Sequence, residues 1–143
     1  MQQKFLKTTR VTIKGYVFNG KKHIYLKSLY EINFCHYLNF LLQHKAIQDW
    51  EYEPDTFWFE NIKRGTNNYL PDFRVLENNG EFTYYEVKGY MDKKSATKIK
   101  RMAKYHPDIK LILVDKPVYE DIKKKRGIIK NWGHYLTEKP ISV

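Results

Sequence analysis

Between Tyr84 and Val114 the chain spells a strand, a helix and a second strand, and this succession constrains the fold more than any other stretch. Gly89 breaks the first strand, and Asp92 is placed to cap a basic helix reaching about Tyr105, with Ala96, Ile99, Met102 and Ala103 as its inner face. Pro107 stops that helix, and Leu111-Ile112-Leu113-Val114 is an apolar run suited to a strand buried on both faces. Strand, helix, strand of these lengths reads as a βαβ unit with a right-handed crossover. The fold must therefore contain a parallel strand pair with a helix packed on it.

The flanking segments fill in a mixed sheet. Apolar runs at Val11, Ile13 and Tyr16–Phe18, and again from Ile24 to Leu26, bracket Asn19-Gly20, a strong hairpin signal. A long helix is expected from Ser28 to about Lys45. Trp50–Tyr52 and Thr56–Phe59 read as strands or extended edges interrupted by Pro54, and Arg64-Gly65-Thr66-Asn67-Asn68 as a polar loop. Tyr69–Leu76 and Glu81–Lys88, separated by Asn78-Asn79-Gly80, form a second hairpin, and a last short helix is expected around Tyr119 to Lys125. The order is hairpin, helix, three strands, helix, strand, helix, which is an α/β (α+β) arrangement with helices on a mixed sheet. With no repeat or linker, the 143 residues read as one domain: a basic N-terminal hairpin over 1–27, a core over 28–116, and a C-terminal helix and tail over 117–143.

The 23 aromatic residues supply ample apolar mass for a core. No stretch approaches a membrane span or a signal peptide, and a single cysteine excludes an internal disulfide and a cysteine zinc cage, so a reducing cytoplasm is the expected setting. GxGxxG and GxxxxGK[ST] phosphate loops are absent.

Charge is unevenly distributed. The formal net charge is +10, yet residues 29–60 hold six acids and one lysine, whereas 1–28 hold seven Lys/Arg and no acid, and 89–130 hold thirteen Lys/Arg against five acids. An acidic centre between basic flanks is the distribution a metal-dependent enzyme on a polyanionic nucleic acid requires. An ordinary basic protein with solvated lysines is the alternative.

The second hairpin makes the acidic centre specific. If Asn78-Asn79-Gly80 is a three-residue loop with Gly80 in the left-handed position, Glu77 pairs with Glu81. Counting back, Asp72 then lies opposite Glu86 on one face, with Lys88 one pleat beyond. A two-residue Asn79-Gly80 turn would set Asp72 opposite Val87, on the wrong face. Two adjacent carboxylates repel unless a cation lies between them or one is protonated. Mg²⁺, with Mn²⁺ as a substitute, suits such oxygen ligands, and Lys88 would add positive charge at a scissile phosphate. A surface Glu/Lys ladder neutralising a single Asp is the competing reading.

Glu31 is the third acid. Its helical phase mates are Phe34, Cys35, Leu38 and Leu42, while Asn33, His36, Asn39 and Gln43 lie roughly opposite. A carboxylate in an apolar stripe is costly unless paired or coordinated. Ser28-Leu29-Tyr30-Glu31 is also a capping box, in which Glu31 would merely return a hydrogen bond to the Ser28 backbone.

Tyr69-Leu70-Pro71-Asp72-Phe73 followed by Tyr85-Glu86-Val87-Lys88-Gly89, with a helical glutamate upstream, resembles the PD-(D/E)XK nuclease superfamily. The trailing helix and the His106-Pro107-Asp108-Ile109 turn into a strand are most similar to the phage endonuclease I type of Holliday junction resolvase. The resemblance spans about Ser28 to Val114. It implies a restriction-endonuclease-like core, metal ligation by Asp72, Glu86, the Val87 carbonyl and the helix acid Glu31, and Lys88 as the catalytic lysine. It further implies cleavage to 5′-phosphate and 3′-hydroxyl ends, branched DNA as the substrate of a homodimer, and phage origin. Arg101 and Tyr105 stand at the spacing of a helical Gln-x-x-x-Tyr element that some relatives carry, with Arg in place of Gln.

Lys93, Lys94, Lys98 and Arg101 on the basic helix, with Lys63 and Arg64 in the polar loop, are the expected DNA contacts; Lys123-Lys124-Lys125-Arg126 extends the footprint or is merely solvated. With no compact base-reading module, backbone and shape recognition is favoured. The five histidines lack metal-ligand spacing, Cys35 reads as core, and Phe57-Trp58-Phe59 as strand core more than a stacking surface. The expected activity is Mg²⁺-dependent hydrolysis of DNA phosphodiesters. A site-specific nicking or homing endonuclease on the same scaffold and a non-catalytic nucleic-acid-binding protein are the alternatives.

Overall fold

The computed structural model describes residues 12–141, and it is an α+β fold. Val11 and the rest of the first eleven residues, expected to open the basic hairpin, lie outside the described residues. Strands β1 (Gly15–Phe18) and β2 (His23–Leu26) form the N-terminal antiparallel hairpin. Its turn is centred on Gly20-Lys21 rather than Asn19-Gly20. The Asn19 side chain explains the shift, because its oxygen accepts from the N–H groups of Lys21 and Lys22 at 2.9 and 2.8 Å.

Helix α1 (Leu29–Gln43) starts at the expected cap, Ser28, whose hydroxyl accepts from the Glu31 N–H. Phe34, Cys35 and Leu38 enter the main core with Phe73, Val75 and Val87 of the sheet. The face expected to be polar is also covered. Asn33 and His36 are buried, Asn33 donating to the Tyr119 hydroxyl at 2.8 Å and accepting from the Gly133 N–H at 2.7 Å. The His36 Nε2 lies 2.7 Å from the His134 carbonyl oxygen. The C-terminal tail therefore supplies the hydrogen bonds that let a polar helical face be buried.

After α1 come β3 (Asp49–Tyr52), β4 (Phe57–Trp58), β5 (Asn68–Tyr69), β6 (Phe73–Leu76) and β7 (Phe82–Val87). The expected strand over Tyr69–Leu76 is split, since Leu70-Pro71-Asp72 leaves the small β4–β5 ribbon and enters the main sheet; Pro71 lacks the N–H that an unbroken ladder needs. Helix α2 (Lys93–Tyr105), β8 (Leu111–Val114) and α3 (Lys116–Lys123) complete the named elements, α3 beginning three residues earlier than expected because Asp115 caps it ahead of Pro117.

The main sheet runs β3-β6-β7-β8, antiparallel except for the parallel β7–β8 pair that α2 connects. Two expectations about this unit are corrected. Strand β8 is an edge strand, and only Val114 is fully buried, because among the described residues no further strand covers its outer side. On α2 only Met102 is buried, clustered with Phe59, Tyr69 and half-buried Leu111, while Ala96 and Ala103 are exposed, so the helix packs through one turn and not along its whole expected inner face. Among the described residues no helix is long and apolar enough to cross a membrane.

Candidate active site

The second hairpin closes with the three-residue loop. The Glu77 N–H donates to the Glu81 carbonyl at 2.8 Å, the Gly80 N–H to the Glu77 carbonyl at 2.9 Å, and Gly80 sits at φ +86°. Phe73 pairs with Tyr85 and Leu76 with Phe82, so the next rung outward sets Asp72 opposite Glu86. On the other side of β6, Tyr52 pairs with Phe73, and the following rung is fixed by the Glu53 N–H donating to the Asp72 carbonyl at 2.7 Å. Glu53, Asp72 and Glu86 thus form one acidic row across three strands, at the end of the sheet where β3 and β7 finish and β6 begins.

The N-terminus of α1 brings in the fourth acid. Carboxylate oxygens of Glu31, Glu53 and Asp72 lie within 4.8 Å of one another. Glu31 is buried, with Oε1 accepting from the Tyr52 hydroxyl at 2.8 Å and Oε2 from the Ser28 hydroxyl at 3.2 Å. The box therefore closes in part: Ser28 caps the helix, and the Glu31 carboxylate meets the Ser28 side chain and the acid cluster. Asp72 Oδ2 accepts from the Val87 N–H at 2.8 Å. Glu86 Oε2 accepts from the Tyr69 hydroxyl at 2.7 Å and from the Asp72 N–H at 3.3 Å.

These groups line a cleft of about 800 Å³ together with Val87 and three lysines, Lys27, Lys88 and Lys116. Lys88 lies 3.7 Å from Asp92 and Lys27 3.7 Å from Glu53. The cations do not offset the crowding of acids. Burial, then Glu86, Glu31 and Glu53, push the Asp72 carboxyl up to about 9 despite the Val87 N–H. Burial also raises Glu31 and Glu86, against the hydrogen bonds of Tyr52 and Ser28 in the first case and of Tyr69 and Asp72 in the second. Such a cluster either retains a proton near neutrality or gains a cation. Its donors are all oxygen, which fits a hard divalent ion such as Mg²⁺ or Mn²⁺.

Glu53, Tyr52 and Tyr69 join the site without a clear local signal in the sequence. Glu53 carries a backbone signal, φ +49° in the left-handed region that non-glycine residues avoid, and such strain tends to persist at functional sites. The only trace in the sequence is the acid-rich stretch 29–60. The two tyrosines read as strand residues, and their hydroxyl roles depend on which strands become neighbours.

The expected DNA contacts divide. Lys63, Arg64, Lys93 and Lys94 are exposed. Lys98 is half-buried, with its ammonium 5.9 Å from the Tyr69 ring centre and its charge lowering the Glu86 carboxyl. Arg101 is committed internally, donating to the Thr66 carbonyl, so it ties the polar loop to α2. In the second basic cluster Lys124 pairs with Asp121 at 3.2 Å. Cys35 is buried and its thiol pushed up by desolvation, Phe59 is buried, and Trp58 is exposed. The histidines stay outside the acid cluster, with His44 bonding to the Phe40 carbonyl and His106 to that of Trp58.

The chain matches no protein-family model and no curated protein sequence.

Proposed function

We propose that this protein is a divalent-metal-dependent DNA endonuclease of restriction-endonuclease-like architecture, hydrolysing phosphodiester bonds in branched DNA as a homodimer in a reducing cytoplasm. The observation that carries the reading is the convergence of Glu31, Glu53 and Asp72, beside Glu86 and Lys88, in one lysine-rimmed cleft. Glu31, Glu53 and Asp72 would hold the cation, with Glu86 and Val87 on the same cleft wall. When bound, the ion supplies Lewis-acid polarisation and charge neutralisation for phosphodiester hydrolysis.

The chain's own groups account for the remaining steps. Lys88 places a positive charge where the phosphate gains negative charge as water attacks. Glu86 has one oxygen held by Tyr69 and the other free to accept a proton from that water. The new bond joins the water oxygen to phosphorus, and the bond to the 3′ oxygen breaks. That leaves a 5′-phosphate and a 3′-hydroxyl protonated from solvent. A four-way junction presents two equivalent strands, which two copies of the chain would serve in parallel.

The test compares cleavage of a synthetic four-way junction with linear duplex of the same sequences in Mg²⁺ or Mn²⁺. Asp72→Asn and Lys88→Ala are expected to abolish cleavage while DNA affinity stays within severalfold. Faster cutting of the duplex would favour the nicking or homing reading, and no cleavage of either would leave a non-catalytic binder.

A further inference from the structure

We infer that Tyr90 is a stacking platform for an unpaired nucleobase next to the scissile phosphate, and so makes the cleft prefer unstacked DNA over intact duplex; the inference rests on the nuclease reading of the same site. Tyr90 borders the acidic cleft and is 74 % exposed, with Met91 beside it 37 % exposed. The other aromatic on the cleft wall, Tyr30, is half-buried and stacked on buried Tyr119, with ring centroids 3.7 Å apart. Tyr90 is therefore the aromatic face that the cleft leaves available.

Its backbone is held on both sides by a packed contact and a helix cap. A Cβ on the preceding Gly89 would lie 2.9 Å from the Tyr30 ring, so the backbone there is pressed against an aromatic pair. Two residues further on, the Asp92 side chain accepts from the Ser95 N–H at 2.7 Å and anchors the start of α2. A side chain presented on anchored backbone loses little entropy when it stacks.

The surrounding charges identify the occupant. A nucleotide offers an anionic phosphate and an apolar ring, and the cleft offers Lys27, Lys88 and Lys116 for the first and Tyr90 for the second. Lys93 and Lys94 follow on the same exposed segment. In an intact duplex both faces of each base are already stacked, so an aromatic at this rim gains contact only at a junction, flap or single strand.

The experiment measures binding by fluorescence anisotropy with Ca²⁺ in place of Mg²⁺, using a four-way junction, a single strand and a duplex of the same sequences. Tyr90→Ala is expected to weaken junction and single-strand binding by about 10-fold or more, as losing one stacked base does. Duplex binding should change less than about twofold, and Tyr90→Phe and Tyr90→Trp should restore the wild-type pattern. Because the side chain is exposed, all three variants should melt with the wild type. Equal weakening on duplex, no weakening at all, or failure of Tyr90→Phe to restore binding each overturns the assignment while leaving the nuclease reading intact. Absence of wild-type binding to all three nucleic acids overturns both.

Discussion

Glu53 and Asp72 are joined backbone to backbone, the N–H of the first donating to the carbonyl of the second at 2.7 Å, one rung beyond the paired ends of β3 and β6. That bond, with Glu53 at φ +49°, brings a third carboxylate to the site, and the conformation costs on the order of 1 kcal/mol for a residue with a Cβ. Glu53→Gly removes the acid and the strain together. The variant is expected to keep or slightly raise its melting temperature while its Mn²⁺ affinity, read by calorimetry, falls about 10-fold or more. A large loss of stability would mean that Glu53 serves the fold through its Lys27 contact instead.

The Tyr69 hydroxyl holds one oxygen of Glu86, a residue on the cleft wall, at 2.7 Å. Tyr69→Phe keeps the ring that packs against Phe59 and Met102 but frees the carboxylate to rotate. Activity should drop about 10- to 100-fold, the usual cost of losing a partner that orients a group beside a metal site. Circular dichroism and melting temperature should stay near wild type, because a carboxylate at the cleft can turn to water. Activity within twofold of wild type would show that Glu86 needs no such restraint.

Gly89 tests how firmly the Lys88 end of the strand is held. Its missing Cβ would sit 2.9 and 3.3 Å from two atoms of the Tyr30 ring, which cannot swing aside while stacked on Tyr119. Gly89→Ala should therefore destabilise the chain by about 1–3 kcal/mol in urea unfolding, the range for overpacking a well-filled site. A neutral result would mean that the Tyr30–Tyr119 stack yields.

Much of this was legible in the sequence because it is local. The Asn78-Asn79-Gly80 loop sets strand parity by its own turn chemistry, and parity alone places Asp72 opposite Glu86. Ser28 and Asp92 cap the helices they were expected to cap, since a side chain three positions from its acceptor needs no tertiary information. What escaped depends on long-range pairing. That β3 is the neighbour of β6 decides that Glu53 joins Asp72, and no local pattern encodes that choice. The same holds for α1, whose polar face is buried by Gly133 and His134, about a hundred positions away. On α2 the amphipathic period does not become contact along the helix: Ala96 and Ala103 are exposed, and packing runs through Met102.

The crowded acids also set a pH dependence. With its carboxyl pushed up to about 9 in the folded chain against an ordinary value of 3.8, Asp72 binds more protons folded than unfolded between those limits. Stability of the metal-free protein must then fall as pH rises through that window. A full proton's difference is worth about 1.4 kcal/mol per pH unit, so the trend is measurable. It is best read between pH 7 and 9 in a Cys35→Ala background, because burial also raises the Cys35 thiol, which would otherwise add its own loss of stability toward pH 9. The expected melting temperature in chelator is lower at pH 9 than at pH 7, and Asp72→Asn flattens the difference. Saturating Mn²⁺ should stabilise more at pH 9 than at pH 7, since at the lower pH the ion must displace the retained proton. A metal-free protein whose stability is flat or rising across this range would show that the four carboxylates do not share one site.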